Sequence, residues 1–294
     1  MFKKIATLFN SIAETGVVPE DIQSGYLIPL CKPGKKKGIV ENLRPVILLN
    51  IIRKILAITM LNRILIRIDS QIPISQSAYR KGRGTTENVF TLRLLTEKAI
   101  IEDNAEVNIR LLDMSKAFDN VNREELMNDL NKILEKDELH MLKLLITKLS
   151  LQVKNKTIIG DKFETSKGIP QGDSLSPILF IFYLAKTLSE EEDNNKINEI
   201  QIEHSYCSRE FNAIEIPTHL RDHNYTIKQS IGLNIKQEFA DDVTRVNRYE
   251  ELADAQVNKD IQKLKKRNFI INHDKTENTR FLSIQIMTGG SVNT

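Results

Sequence analysis

Gln237-Glu-Phe-Ala-Asp-Asp-Val-Thr-Arg-Val246 places two adjacent carboxylates, Asp241 and Asp242, between short apolar runs. The pattern predicts a hairpin over residues 235–248 with both acids at its turn. An Asp-Asp turn by itself is an ordinary solvated turn. A third acid changes the reading, because Asp113 closes another strand-like run, Val107-Asn-Ile-Arg-Leu-Leu-Asp113, whose odd positions share one face. A carboxylate in line with a buried face is costly unless it is paired or bound to a metal. Between the two acidic segments lies Lys167-Gly-Ile-Pro-Gln-Gly-Asp-Ser-Leu-Ser-Pro177, a turn running into a helix that is apolar all round over residues 178–185.

Outward from these segments, helical spacing of apolar residues predicts an N-terminal helix carrying Phe2, Ile5, Leu8, Phe9 and Ile12. Further helices are predicted over residues 51–68, 88–101, 123–134, 139–149 and 250–266. Strands are predicted at 26–30 and 44–49, around a Lys/Gly-rich tip, and at 269–272 and 281–284. Apolar periodicity fades between about 189 and 232, which reads as a polar insertion. Alternating strands and helices with one hairpin at the centre predict an α+β fold, a sheet backed by helices.

The 294 residues, 40% of them hydrophobic, can bury a substantial core. No run approaches the roughly 18 apolar residues of a membrane span, and the N-terminus lacks the features of a signal peptide. The expectation is an intracellular protein of nucleus or cytoplasm, not secreted and with no membrane partner. Two cysteines, Cys31 and Cys207, cannot build a disulfide framework. A formal charge of +3 is too small to argue for nucleic acid. Local clusters matter more: Lys32, Lys35, Lys36 and Lys37 crowd one turn, and Arg80, Lys81 and Arg83 another, which suits contact with phosphates.

Three aspartates converging on two Mg²⁺ ions about 4 Å apart would form a two-metal phosphoryl-transfer site. Arg44 and Lys32 would neutralise a triphosphate from the hairpin side, Arg as a fork and Lys as a point charge. Lys275, in a turn beyond the sheet, is a candidate general acid for pyrophosphate. Five positions past Asp113 stands Phe118, whose ring would block a ribose 2′-hydroxyl; the plainer reading is a core aromatic.

The ordered blocks resemble the reverse transcriptase of non-LTR (LINE-like) retrotransposons. Leu112-Asp-Met-Ser-Lys-Ala-Phe-Asp-Asn-Val121 is similar to the family's motif A, Gly168-Ile-Pro-Gln-Gly-Asp-Ser-Leu-Ser-Pro-Ile-Leu-Phe180 to motif B, Phe239-Ala-Asp-Asp242 to motif C and Asn272-His-Asp-Lys-Thr-Glu277 to motif D. Upstream, Ile28-Pro-Leu-Cys-Lys-Pro-Gly34 with Leu43-Arg-Pro45 resembles the fingers hairpin, and Gln76 to Thr86 the template-contacting block that includes Arg80, Lys81 and Arg83.

This resemblance implies a right-hand polymerase fold with Asp113, Asp241 and Asp242 as ligands of two Mg²⁺ ions, Mn²⁺ being the substitute. It implies Phe118 as sugar gate, Gln171 and Gly172 against the incoming nucleotide, Lys32 and Arg44 on the triphosphate, and Lys275 as the motif D lysine. The implied partners are an RNA template, a DNA primer and dNTPs. The expected division is fingers over 1–105, palm over 106–286 with the insertion near 189–232, and a tail over 287–294. The expectation includes an absent thumb, so that the chain is a fragment of a longer polyprotein or a decayed copy. The rival reading is a catalytically inactive or domesticated nucleic-acid-binding relic. RNA-dependent RNA synthesis is disfavoured by Phe118, and a zinc site at His204, Cys207, His219 and His223 lacks paired cysteines.

Overall fold

The computed structural model describes residues 2–101, 107–147, 149–189, 199–206, 225–232, 235–247 and 249–281. Helix α1 (Phe2–Thr15) seats Ile12 in the core and stops at Gly16, whose φ of 66° suits glycine. One turn, α2 (Glu20–Gln23), leads into β1 (Ser24–Cys31). This strand pairs antiparallel with β2 (Leu43–Leu49), Leu30 opposite Arg44, so the lysine-rich segment is a hairpin tip as predicted. Asn50 caps α3 (Ile51–Asp69), its side chain accepting from the Ile52 N–H at 2.8 Å.

Helix α4 (Thr85–Ile101) precedes β3 (Val107–Leu112) and the short β4 (Met114–Ser115). The Asn122 side chain caps α5 (Arg123–Leu130), which ends four residues before the predicted stop; a separate helix, α6 (Lys136–Thr147), follows. Next comes a hairpin that the sequence patterns did not predict, β5 (Ser150–Asn155) and β6 (Ile158–Glu164). Helix α7 (Ser176–Thr187) carries Pro177 in its first turn. The predicted polar insertion contains a further two-stranded hairpin, β7 (Glu199–Tyr206) with β8 (Tyr225–Gly232). The chain continues through β9 (Ile235–Phe239), β10 (Asp242–Asn247), α8 (Glu250–Lys266), β11 (Ile270–Ile271) and β12 (Glu277–Phe281).

The last strand begins at Glu277, four residues ahead of the predicted start at 281, and residues 282–284 lie outside the described residues. The Thr276 N–H donates to the Asn272 carbonyl at 3.0 Å and closes the turn, so pairing starts with Glu277 opposite Leu111.

The central sheet runs β12-β3-β10-β9 and the N-terminal sheet β2-β1-β5-β6. In the latter, β5 joins β1 in parallel, Ser24 opposite Ser150, so residues from beyond position 106 complete a sheet begun by the first 50. The core gathers around α7, where Phe180, Ile181, Phe182, Tyr183 and Leu184 are all buried, matching the all-apolar reading of that helix. Each such side chain contributes about 1.5–3 kcal/mol on burial.

Behind the central sheet, Arg110 and Arg245 stand opposite each other on β3 and β10. Two facing cations on one buried face repel unless neutralised. Helix α8 supplies the anions: Asp260 grips Arg245 at 2.7 and 2.9 Å, while Arg110 reaches Asp254 at 2.7 Å and Glu250 at 3.2 Å. Even positions of β3 therefore face α8. Odd positions, with Asp113 next in line, face the other way.

Candidate active site

Strands β9 and β10 are joined by the two-residue turn Ala240-Asp241, Phe239 pairing with Asp242. Ala240 has a φ of 55°, the positive value that primed hairpin turns place at their first central residue. β3 and β10 are neighbours with Leu112 opposite Val243, so Asp113 and Asp242 are the next residues along at the same edge. Three acids from two strands are thereby delivered to one end of the sheet.

The electrostatics report that closeness. Burial pushes the Asp241 carboxyl up, and Asp113 adds to the rise; burial also raises Asp242, with Asp241 and Asp113 both contributing. Lys275 opposes both shifts, and its Nζ lies 3.5 Å from Asp113 Oδ2. Asp113 is further held by Asn272, whose Nδ2 donates to Oδ2 at 2.7 Å.

Among the described residues, no group of three or more His, Cys, Asp or Glu side chains is placed to hold a metal ion by itself. An open set of mutually repelling carboxylates fits Mg²⁺, which keeps most of its coordination for water and substrate phosphates.

The loop expected to floor the site is anchored to the N-terminal sheet. The Ile47 N–H donates to the Gln171 carbonyl at 2.7 Å, and Gly172 (φ 117°) packs so tightly that a Cβ would overlap the Ile47 carbonyl oxygen. Arg53, fully buried in α3, reaches Asp173 Oδ2 at 3.3 Å. Gln171 also borders a cleft of about 410 Å³ whose lining includes Leu27, Pro45, Ile47, Asp119 and Lys167.

The reverse transcriptase (RNA-dependent DNA polymerase) family matches residues 34–286, nearly the whole of this architecture. The chain belongs to that family. A probable RNA-directed DNA polymerase from transposon BS of Drosophila melanogaster is 25% identical over 183 residues, covering 62% of this chain and 20% of the relative. The RNA-directed DNA polymerase from mobile element jockey of Drosophila melanogaster is 29% identical, covering 60% and 19%. The chain thus spans about a fifth of the length of the curated relatives it matches. These mobile-element relatives agree with the LINE-like resemblance of the motifs. Among solved structures, apo telomerase from Candida tropicalis, truncated from its C-terminal domain, superposes with a TM-score of 0.59 at 15% identity, covering 97% of this chain and 55% of that one. The same organism's telomerase in complex with a TWJ fragment of telomeric RNA gives a TM-score of 0.58 at 13% identity, covering 95% and 44%. The right-hand polymerase fold of a reverse transcriptase is therefore present.

Within this reverse transcriptase domain the remaining candidates fall as follows. Phe118 is partly buried, stacked on Phe180 with centroids 4.3 Å apart and edge-on to Tyr79 at 6.5 Å. It packs against the core with part of its ring exposed. Arg44 is exposed, on the face of β2 alternate to Pro45 and Ile47, and Lys32 donates from its Nζ to the Glu41 carbonyl at 3.0 Å. Arg80 departs from expectation. Its guanidinium is folded back onto Asp69 at 2.7 and 3.1 Å and onto the Pro73 carbonyl at 2.8 Å, so it holds its loop instead of reaching outward. Arg83 donates to the Ile74 carbonyl at 2.6 Å, and Lys81 is exposed.

Sequence reasoning passed over Asn272, Arg53, Gln76 and Tyr79. Asn272 stood in the motif D block and Gln76 at the head of the template block, so position alone could have flagged both. The zinc reading at Cys207, His219 and His223 lies outside the described residues, and among those described no helix is long and apolar enough to cross a membrane.

Proposed function

We propose that this domain extends a DNA primer on an RNA template, transferring nucleotidyl groups from dNTPs with Asp113, Asp241 and Asp242 holding two Mg²⁺ ions, or Mn²⁺ in their place. The observation that carries this reading is the delivery of three carboxylates and Lys275 to one sheet edge. Bound there, the metal supplies activation of the primer 3′-hydroxyl and neutralisation of the leaving pyrophosphate.

The protein's side chains do the rest. Asn272 orients Asp113, and Lys275, whose Nζ lies 3.5 Å from Asp113 Oδ2, gives a proton to pyrophosphate. Phe118 excludes a 2′-hydroxyl, Gln171 and Gly172 form the floor beneath the nascent pair, and Arg44 with Lys32 meets the triphosphate. Lys81 and Arg83 take the template backbone. Residues 1–105 then serve as fingers, with β5 and β6 as a later addition to their sheet, and 106–286 as palm. Chemistry on RNA and DNA assigns the protein to nucleus or cytoplasm.

Primer extension with Mg²⁺, an RNA template, a DNA primer and dNTPs tests the reading. Extension by the wild type and a loss of about 10³-fold or more in Asp241→Ala are expected for removal of a ligand of the reacting group. Undiminished extension by Asp241→Ala would overturn the assignment.

A further inference from the structure

The Ala240-Asp241 turn is held from outside its own hairpin. Gln76 is fully buried, and its side-chain amide faces the Ala240 peptide: Oε1 accepts from the Ala240 N–H at 3.0 Å, and Nε2 donates to the Ala240 carbonyl at 3.3 Å. Oε1 also accepts from the Ala78 N–H at 3.0 Å. The segment carrying Gln76 is stitched to β9 by a single parallel bridge between Gln76 and Glu238. The Ser77 N–H donates to the Glu238 carbonyl at 3.0 Å, the Glu238 N–H to the Ser75 carbonyl at 2.9 Å, and Asn88 Nδ2 to the same Glu238 carbonyl at 2.9 Å.

Ala240 is a residue that needs such support. Its φ of 55° is a left-handed conformation that an L-residue with a Cβ disfavours, and such strain persists only when surrounding contacts over-determine it. A glycine would hold that conformation without help. In its place stands an alanine whose N–H and C=O are both taken by one side chain. The turn sets the directions of the next two residues, Asp241 and Asp242. Fixing the Ala240 peptide therefore fixes where the two carboxylates stand relative to Asp113.

We infer that Gln76 is a positioning residue for the catalytic turn: its carboxamide locks the left-handed Ala240 peptide and so aims Asp241 and Asp242 at the metals. The inference rests on the polymerase reading above. It also ties the loop of Lys81 and Arg83 to the acids, since Arg80 Nη1 holds the Gln76 carbonyl at 3.2 Å.

The test compares the wild type with Gln76→Met, which keeps length and burial but removes the amide, with Gln76→Glu, which keeps the acceptor but loses the donor, and with Gln76→Met/Ala240→Gly. Hydrogen exchange at the Ala240 amide reads the clamp independently of activity. Mn²⁺ binding, followed by electron paramagnetic resonance in the presence of a dNTP, and the kcat and KM of extension read its consequence. Expected for Gln76→Met are lost protection at Ala240, Mn²⁺ affinity and kcat both lower by about 10- to 100-fold, and a little-changed KM for dNTP. Gln76→Glu falls between, and the added Ala240→Gly restores part of the affinity and rate. Full protection at Ala240 in Gln76→Met, or lost protection with unchanged Mn²⁺ affinity, overturns the inference, as does a double variant no better than Gln76→Met. If Gln76→Met does not fold, Gln76→Glu takes its place: weakened protection at Ala240 supports the clamp, and protection equal to the wild type overturns it. A wild type that neither binds Mn²⁺ nor extends a primer sinks the polymerase reading instead, and the exchange data still test the clamp.

Discussion

Asn272 grips Asp113 twice: its side-chain Nδ2 donates to Asp113 Oδ2 at 2.7 Å, and its backbone N–H donates to the Asp113 carbonyl at 2.9 Å. The second bond extends the β4–β11 pairing of Ile271 with Met114 by one step. Loss of the side-chain bond in Asn272→Ala is expected to lower kcat by about 10- to 100-fold, the usual cost of freeing a ligand's orienting partner. The melting temperature should change little, because the backbone bond stays. Asn272→Asp should be worse, since it adds a fourth carboxylate to the cluster. Single-turnover extension together with a thermal melt separates these outcomes.

Phe118 has two tasks that one substitution divides. Its stack on Phe180 at 4.3 Å makes it a support of the core, while its free edge meets Tyr79. Phe118→Ala is expected to raise ribonucleotide incorporation relative to deoxynucleotide by roughly 10- to 200-fold, the range a shape-based pocket discriminates. It should also cost stability, up to about 3 kcal/mol. Competition between rNTP and dNTP on one template measures the first effect and denaturant unfolding the second; unchanged sugar selectivity removes the gate.

Gly172 cannot take a side chain. A Cβ there meets the Ile47 carbonyl oxygen, and the φ of 117° is foreign to alanine. Gly172→Ala should destabilise the protein by about 2 kcal/mol or more and part Gln171 from β2. The Ile47 amide, which donates to the Gln171 carbonyl, should lose hydrogen-exchange protection in that variant.

Asp119 predicts a pH effect with a definite sign. Burial pushes its carboxyl up, against the pull of Lys116 and Lys167. The folded protein then holds this proton more tightly than the unfolded chain, whose aspartates titrate near about 3.9. The associated stability is full below that value and is lost as pH rises through the raised folded value. Asp119→Asn, neutral at every pH, should therefore gain in melting temperature relative to the wild type between about pH 3 and pH 7. A constant difference across that range would contradict the burial of this group.

Much of the site was legible because polymerase chemistry concentrates in short segments whose local patterns are strong. The acids and the buried helix behind them each carry their own signal in a few residues. The β5–β6 hairpin was not legible. Every residue of β6 is exposed, so nothing forces the alternation by which a strand announces itself. The role of Arg80 was hidden for a different reason. Its partners, Asp69 and the Pro73 carbonyl, lie where the α3 end and the following loop meet, and a cation's sequence position does not say whether it faces solvent or its own loop. Gln76 and Asn272 are neutral amides, whose function shows only once the peptides they hold are known.

The parallel pairing of β1 with β5 has a consequence for how the protein is made. Antiparallel β1 and β2 can find each other across a short tip, but β1 receives its other neighbour only from Ser150 onward. Closing so long a loop costs entropy that only the later contacts return. During translation the N-terminal sheet must wait, with one edge open, until the ribosome has passed β6. A chain halted before Ser150 would expose that edge of β1, and open strand edges are templates for aggregation.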